Sequence, residues 1–333
     1  MNNLLKAVLD THGGLDRWRR YQRVDASIVT GGGFFALNGV MQDSESRRMT
    51  VCLHEERASV WPYGAPDQRT TFTPERIAIE KVDGAVVAER YAPRDSFAGH
   101  QMNTPWDPLH RAYFNGEALW TYLTTPFLLA MPGVRLEETE PWQEGGETWQ
   151  VLRAFFPGSI ETHSLIQDFF FDREFRLRRH DYSVNIAGGF HAAQLTSGYT
   201  EAGGLWLPTE RRAFPCGPDR RPIRELMMVS IDISDISRSS CEAGNPRYGG
   251  RQAIPRAAGQ GQGYREADRR ADPALRPGDF FGNTMVLCRT GQSPRRPCSK
   301  RAPHSACHRA PPAGHRYDAR RSRDHTRTSE AAA

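Results

Sequence analysis

Short segments in which apolar and polar residues alternate occupy most of the first 236 residues of this 333-residue chain. Val229, Ile231 and Ile233, for example, alternate with serine and aspartate, which predicts a strand with one buried face. Glycine, proline and aspartate clusters of hairpin length separate the segments, as in an antiparallel meander. Because an open sheet of about ten strands seldom stays flat, we predict a mainly β (α+β) fold with a strongly curved antiparallel sheet, a half-barrel.

The alternating segments set the expected positions of the strands. They lie at residues 24–28, 34–40, 49–53, 58–63, 77–82, 85–91, 134–142, 148–156, 164–171, 176–184, 191–200, 205–214 and 224–236. The Asp83-Gly84 pair predicts a hairpin between two of them. Before the first strand, apolar residues at helical spacing predict one helix over residues 2–20, or two short helices broken at Gly13-Gly14.

An aromatic segment at residues 104–127 interrupts the strands and predicts a central helix over residues 107–125. Asp107 is a favourable N-cap, Pro108 occupies the first helical position, and Pro126 ends the helix. Apolar residues cover most of its circumference, so we expect helices packed in the concave face of the sheet. Gly116 weakens such a helix by about 1 kcal/mol relative to alanine, which indicates a close contact or a kink there.

Charge divides the chain into two parts near residue 237. Residues 238–333 contain 18 arginines and one lysine against eight acidic residues, a net charge of +11, whereas residues 1–237 carry −6. The tail lacks hydrophobic periodicity and is rich in Arg, Pro, Gly and Ala, so we predict one domain over 1–237 followed by disorder. A basic arm for nucleic acid and a shifted reading frame both explain the tail; we favour the shifted frame and expect no specific nucleic-acid partner.

Several classes of site are not expected from the sequence. The tail residues Cys298, His304, Cys307, His308 and His315 match no zinc-binding spacing, so no metal is predicted. No nucleotide-binding glycine motif follows a strand, and no cofactor is predicted. The N-terminal sequence has no signal-peptide pattern, and no segment is apolar enough to span a membrane. With few cysteines, these features predict a cytoplasmic protein; its oligomeric state stays open.

Histidines in predicted elements are the candidates for chemistry. His180 and Tyr182 share one face of a strand, and His110 lies on the central helix. If they meet inside the fold, a neutral imidazole there is suited to general acid–base catalysis. The alternative is that these residues are hydrogen-bonded members of the core, which is the interpretation we favour.

Several segments resemble known proteins. The segment HGGLDRW (residues 12–18) and the hairpin FFFD to LRRHDY (169–182) resemble LolA/LppX-like lipoprotein carriers. FAGH (97–100), TPWDPLH (104–110) and RRHDY (178–182) are also found in an uncharacterised bacterial group of that type. The resemblance implies a curved sheet with helices in its concavity and an apolar cavity for acyl chains. Because it lacks an export signal, the sequence departs from proteins that carry lipoproteins between membranes.

Three hypotheses about function follow. The first is binding of a hydrophobic small molecule or lipid in an apolar cavity lined by Trp106, His110, Phe114, Trp120, Tyr122 and Phe127. The second is a cavity enzyme, such as a cyclase, isomerase or hydrolase, that uses His110 and His180 as acid and base, with Tyr182 as a further candidate. The third is a sealed core beside Trp120. We favour the first, without catalysis.

Overall fold

A computed structural model describes residues 2–40 and 44–240 of the chain. The predicted disorder, the zinc-like cysteines and histidines, and the shifted reading frame concern residues beyond 240, which lie outside the described residues. Strand pairing extends to Ser240, three residues past the predicted domain boundary at 237. Pairing through the backbone does not depend on apolar side chains, so a polar Ser-Arg-Ser-Ser segment can continue a strand.

The described chain contains four α-helices, three 3₁₀ turns and thirteen strands. The helices are α1 Asn3–Thr11, α2 Leu15–Trp18, α3 Phe34–Leu37 and α4 Pro108–Thr124, and the 3₁₀ turns are Pro93–Phe97, Phe127–Ala130 and Asn185–Ala187. The strands are β1 Tyr21–Gly31, β2 Arg47–Cys52, β3 Ala58–Trp61, β4 Gln68–Thr73, β5 Arg76–Lys81, β6 Val86–Tyr91, β7 Arg135–Glu144, β8 Glu147–Phe155, β9 Ile166–Phe171, β10 Leu177–Val184, β11 Phe190–Ala202, β12 Leu205–Pro215 and β13 Val229–Ser240. The break at Gly13-Gly14 and the hairpin at Asp83-Gly84 are confirmed.

All thirteen strands form one sheet in which the paired neighbours are antiparallel. The order is β6-β5-β4-β3-β2-β1-β13-β12-β11-β10-β9-β8-β7, so the first and last strands pair in the middle. The edges β6 and β7 are not paired with each other, and the sheet is therefore open. This architecture confirms the predicted mainly β fold with an antiparallel sheet.

Helix α4 connects one edge of the sheet to the other and therefore has to cross it. It packs against strands β2 to β6 of the first half. From the second half, Arg211 on β12 donates a hydrogen bond of 2.8 Å to the backbone oxygen of Tyr122. A single helix can contact both halves of so wide a sheet only if the sheet curves around it. The predicted helix in the concave face is confirmed.

The local sequence explains where α4 begins and ends. The Asp107 carboxylate accepts the backbone N–H of His110 at 2.8 Å, and His110 Nδ1 accepts the N–H of Asp107 at 3.1 Å. This reciprocal capping satisfies two N–H groups that would otherwise lack partners. Every residue from 111 to 124 is buried, and each large apolar side chain contributes about 1.5–3 kcal/mol on burial. Tertiary packing therefore holds a helix with little polar surface.

Two strand predictions were wrong. Residues 34–40 begin with helix α3 because Phe34 and Phe35 are both buried in the main core, whereas consecutive side chains of a strand point to opposite faces. Strand β4 was missed, since its inward-facing residues are Thr70 and Phe72 and the threonine hides the apolar period. Thr70 Oγ1 is buried but accepts the N–H of Val60 at 2.9 Å, which permits a polar side chain there.

Among the described residues, no helix is both long and apolar enough to cross a bilayer.

Candidate functional site

A group of buried polar side chains lies between α4 and the inner face of the second half of the sheet. We name it the inner polar cluster; its members are Glu117 and Tyr122 of α4, His163 of the loop before β9, Gln167 of β9, His180 and Tyr182 of β10, Gln194 of β11 and Arg211 of β12. Successive side chains of a strand point to opposite faces of the sheet, and the cluster members on β9 to β12 lie on the inner face. Eight polar side chains in one part of an otherwise apolar core make this the candidate site.

The centre of the inner polar cluster is a chain of close polar contacts. Glu117 Oε1 lies 3.1 Å from His163 Nδ1, and both side chains are completely buried. His163 Nε2 is 2.8 Å from the Tyr122 hydroxyl, which in turn is 2.9 Å from the Tyr182 hydroxyl. The rings of His163 and Tyr182 are stacked with centroids 4.2 Å apart. The arrangement links a carboxylate, an imidazole and two phenols, and it is chemically capable of passing a proton.

His180 lies beside this chain and is neutral. Its Nε2 is 2.5 Å from Gln167 Oε1, and its ring stacks on Phe169 at 4.2 Å. Burial, with His163 and Arg211 adding to it, holds the pKa of His180 well below its ordinary value. A neutral imidazole is the form that acts as a base. The predicted catalytic role of His180 and Tyr182 stays a prediction.

Several atoms of the inner polar cluster lack a well-aligned hydrogen bond within the described part of the chain. They are both carboxylate oxygens of Glu117, His163 Nδ1, His180 Nδ1 and Arg211 Nε, with Thr121 Oγ1 nearby on α4. Buried polar atoms without partners are rare in protein interiors because each costs about 1–3 kcal/mol. The inner polar cluster contains five such atoms, and a sixth lies beside it.

His110 belongs to a different group of residues. Its ring lies 4.6 Å from Phe97 and 5.1 Å from His100, and Phe97 is 5.6 Å from Trp106. The FAGH and TPWDPLH motifs are thus in contact with each other. Burial lowers the pKa of His110. Within the described chain His110 and His180 share no hydrogen bond or ring contact, so the structure does not bring this predicted pair together.

The predicted ligand-binding aromatic residues are all buried. Trp120 Nε1 donates to the backbone oxygens of Cys52 and Glu55, at 2.9 Å each, and Phe127 stacks on Trp18 at 4.4 Å. Phe114 and Tyr122 line a narrow apolar crevice between α4 and the centre of the sheet, with Thr30, Phe35, Asn115, Ala118, Leu119, Val229 and Ile231. Its free volume of about 10 Å³ suffices for about one water molecule.

A larger opening lies at the beginning of α4. This groove has a volume of about 480 Å³ and is lined by Tyr63, Gly64, Ala65, Gln68, Ile79, Val87, Ala88, Asp107, Pro108 and Leu109. Most of the exposed lining is apolar. Strands β4, β5 and β6 form one side of it and the first turn of α4 forms the other. The groove is lined by Pro108 and Leu109 from the first turn of α4 and not by the six predicted ligand-binding residues, whose role stays a prediction.

A half-buried group of acidic residues contacts α4 through Tyr113. Arg94 forms an ion pair with Glu161, which also accepts the Tyr113 hydroxyl proton at 2.7 Å. The Glu56 carboxylate accepts the backbone N–H of Glu161 at 2.9 Å. Burial, with the nearby charges of Glu161 and Glu117, raises the pKa of Glu56 to about 8. Glu56 is therefore more easily protonated in the folded state than in the unfolded chain.

This raised pKa predicts a gain in stability from Glu56→Gln at alkaline pH. A raised folded-state pKa contributes stability that is complete below the ordinary value near 4.5 and is lost as the pH rises through about 8. Glutamine keeps an acceptor for the Glu161 N–H and never ionises. We expect the variant to be more stable than the parent by about 1 kcal/mol at pH 9, after allowance for solvent screening, and similar to it at pH 4.5.

Thermal unfolding of both proteins at the two pH values measures this difference. Glu55→Gln is the matched control, because the neighbouring Glu55 side chain is exposed and pairs with Arg57. Equal pH dependence of the parent and Glu56→Gln would contradict the prediction.

Sequence reasoning missed five members of the inner polar cluster as site residues, namely Glu117, His163, Gln167, Gln194 and Arg211. Glu117 could have been predicted as a site residue, since it is a carboxylate on a helix that is apolar around most of its circumference. His163 lies in a loop, where no periodicity indicates which way a side chain points. Among the described residues no group of three or more His, Cys, Asp or Glu side chains is arranged to hold a metal ion.

Comparison with known proteins gives structural matches alone. No protein-family model and no curated protein match the sequence. The fold is similar to a LolA superfamily protein from Nitrosomonas europaea, with 12% identity over 72% of this chain and 94% of that one and a TM-score of 0.42. A DUF1329 family protein from Desulfovibrio piger matches with 12% identity over 74% and 97% of the two chains and a TM-score of 0.43. Lipoprotein LppX from Mycobacterium tuberculosis matches with 11% identity over 71% and 96% and a TM-score of 0.22. These include the LolA and LppX types that the sequence resembles.

Proposed function

We propose that the protein binds a hydrophobic small molecule or lipid on the concave side of its sheet. The observation that carries this proposal is the groove of about 480 Å³ at the beginning of α4, with its mainly apolar lining. Binding sites for small molecules are typically concave, mostly apolar and about 300–1,000 Å³ in volume. The cytoplasmic location expected from the sequence stays part of the proposal.

The chemistry of the groove favours an apolar occupant. Ile79, Val87, Ala88, Pro108 and Leu109 supply hydrocarbon surface from the sheet and from the helix. An apolar ligand that covers this surface gains about 25 cal/mol for each Å² removed from water. The lining also includes the charged residue Asp107. Asp107 does not select a charged ligand, because Arg90 already neutralises its charge.

Asp107 lies 2.5 Å from Arg90 Nη2 and caps α4. Burial opposes its ionisation, but the hydrogen bonds from Arg90 and the His110 N–H outweigh it and lower the pKa of Asp107. The polar groups at the groove thus hold the helix in place, and Tyr63 does the same through a 2.7 Å hydrogen bond to the backbone oxygen of Pro108. Specificity for an apolar molecule follows from the remaining surface.

Titration with the neutral fluorescent dye Nile red tests the proposal. Val87→Asp places a carboxylate in the groove, and an apolar ligand that covers this charge removes it from water at a cost in free energy. We expect at least a tenfold loss of Nile red affinity, about 1.4 kcal/mol. Val86→Asp is the matched control, since Val86 is exposed to a similar extent (50% against 48%) but does not line the groove. Failure of the wild-type protein to bind the dye, or equal affinity in both variants, would refute the proposed site.

A further inference from the structure

Strand β6 forms one edge of the sheet and exposes apolar side chains to solvent. Val86 and Val87 are half exposed, and Tyr91 is 68% exposed. Val82, in the turn before the strand, is more than half exposed as well. Four of the ten exposed large apolar side chains of the described chain thus lie together at this edge. Single apolar residues on a surface are ordinary, whereas a group of them marks a surface for interaction.

The backbone of β6 also presents hydrogen-bonding groups along this edge. The N–H of Ala92 donates to the backbone oxygen of Glu75 on the β5 side at 2.9 Å, so these two residues form a hydrogen-bonded pair. Hydrogen-bonded pairs alternate along an antiparallel ladder. The backbone groups of Arg90 therefore face β5, and those of Glu89 and Tyr91 face the open edge. Among the described residues, no further strand pairs with β6 there.

The opposite edge of the sheet, β7, is protected against pairing in ways that β6 is not. It contains one proline and four glutamates, namely Pro141, Glu137, Glu138, Glu140 and Glu144. Charged side chains and proline are the usual means by which an edge strand avoids pairing with another molecule. Both edge strands contain one irregularity in their pairing, so the difference lies in the side chains. The unprotected edge, β6, is the one that suits a partner strand.

The charges on β6 favour a partner strand without net charge. Glu89 is paired with Arg76 at 2.7 Å, and Arg90 is paired with Asp107 at 2.5 Å, so each charge is neutralised within the molecule. A second copy of β6 is such a strand, because antiparallel pairing about a twofold axis matches the same surface on both molecules. Pairing of β6 with β7 of another copy would instead meet the glutamates and the proline, and it would lead to an open-ended assembly.

We propose that two copies of this protein associate through their β6 strands, which pair antiparallel along the open edge. This inference goes beyond the proposed function and needs no ligand. Association removes Val86, Val87 and Tyr91 from water and supplies partners for the backbone groups of Glu89 and Tyr91. The free edges of the joined sheet are then the two protected β7 strands, so assembly stops at the dimer. Since a single pair of strands is a small interface, the association is weak.

Sedimentation equilibrium of the full-length protein tests this inference. We expect a monomer–dimer equilibrium between micromolar and submillimolar protein concentrations. Glu89→Pro is the first variant, because the Glu89 N–H faces the open edge: proline removes a hydrogen bond of the dimer but none of those between β6 and β5. We expect the dissociation constant of the dimer to rise at least tenfold. Glu89→Gln is the matched control, since it keeps the N–H and is expected to dimerise as the parent protein does.

Val86→Asp tests the side chains of the same edge. It places a carboxylate on a surface that the dimer removes from water, and we again expect at least a tenfold weaker dimer. Val29→Asp is the matched control, because Val29 is also an exposed valine but lies on β1 in the middle of the sheet. Circular dichroism establishes that each variant is folded, and if Glu89→Pro does not fold, Val86→Asp decides the matter.

Three results would overturn the inference. They are a parent protein that stays monomeric at every concentration, assembly that continues beyond the dimer, and a dimer that a folded Val86→Asp variant forms as readily as the parent. The proposed function is tested separately, because Val86 does not line the groove. Val86→Asp is therefore expected to bind Nile red as the parent does while its dimer is weakened.

Discussion

His163→Phe is expected to lower the free energy of unfolding by about 1–3 kcal/mol. The substitution leaves the completely buried Glu117 carboxyl group without the imidazole that now lies 3.1 Å away, and it removes the polar partner of the Tyr122 hydroxyl at 2.8 Å. Removal of one member of a buried polar pair is destabilising because the remaining group is left buried without a partner. Glu117→Leu is expected to destabilise the protein as well, since it leaves the imidazole without an acceptor. Urea unfolding followed by circular dichroism measures both changes.

The double variant Glu117→Leu/His163→Phe separates the interaction from simple loss of packing. Because it removes both polar groups together, we expect it to cost clearly less than the sum of the two single changes. Lys6→Met is the control for an ion pair in solvent: Lys6 and Asp10 are 67% and 59% exposed, and such pairs contribute little. Additive costs of the two single changes, or a loss below about 1 kcal/mol in His163→Phe, would show that the pair is not coupled.

Gly116→Ala is expected to destabilise the protein by about 2 kcal/mol, although alanine favours a helix by about 1 kcal/mol relative to glycine. A Cβ atom at residue 116 would lie 2.4 Å from both Cβ and Cγ of Phe72. Phe72 is completely buried on β4, and overpacking of a dense core costs about 1–3 kcal/mol or more. The steric cost therefore outweighs the gain in helix propensity. The midpoint and slope of urea unfolding measure the result.

Two further variants test the cause. Gly158→Ala is the matched control, because no atom lies within 4 Å of its added Cβ. Phe72→Leu in the Gly116→Ala background removes part of the obstruction, and we expect the combined loss to be smaller than the sum of the two single losses. A gain of stability in Gly116→Ala would mean that α4 does not approach β4 as closely as the structure places it.

Much of the architecture could be predicted because it depends on local patterns. Alternation along β5 to β13 identified most of the strands, and the turn residues placed the hairpins. The predictions at β4 and α3 were wrong for a shared reason: Thr70 is polar yet buried, and Phe34 and Phe35 are adjacent yet both buried. In each case the contacts made after folding, rather than the spacing of apolar residues, determine which side chains are inside.

The candidate site was only partly accessible to sequence reasoning. His180, Tyr182 and Tyr122 were identified, since strand and helix periodicity places them on inward faces. His110 was paired with His180 because both are histidines on predicted inner faces. The structure shows that α4 meets β10 near Tyr122, close to the end of the helix, whereas His110 lies in its first turn. His163 and Arg211 come from segments distant in the chain, and their proximity to Tyr122 follows from the curvature of the sheet.

The amino-acid sequence by itself determined the antiparallel strands, the broken N-terminal helix and the bounds of the central helix, because these depend on residues a few positions apart. Only the tertiary structure decided that strands β1 and β13 pair in the middle of one open sheet. It also decided that α4 lies across this sheet. Glu117 of the helix, His163 and Arg211 are buried between the two. Such contacts join residues far apart in the chain, and their energies depend on burial and on partners that no local pattern specifies.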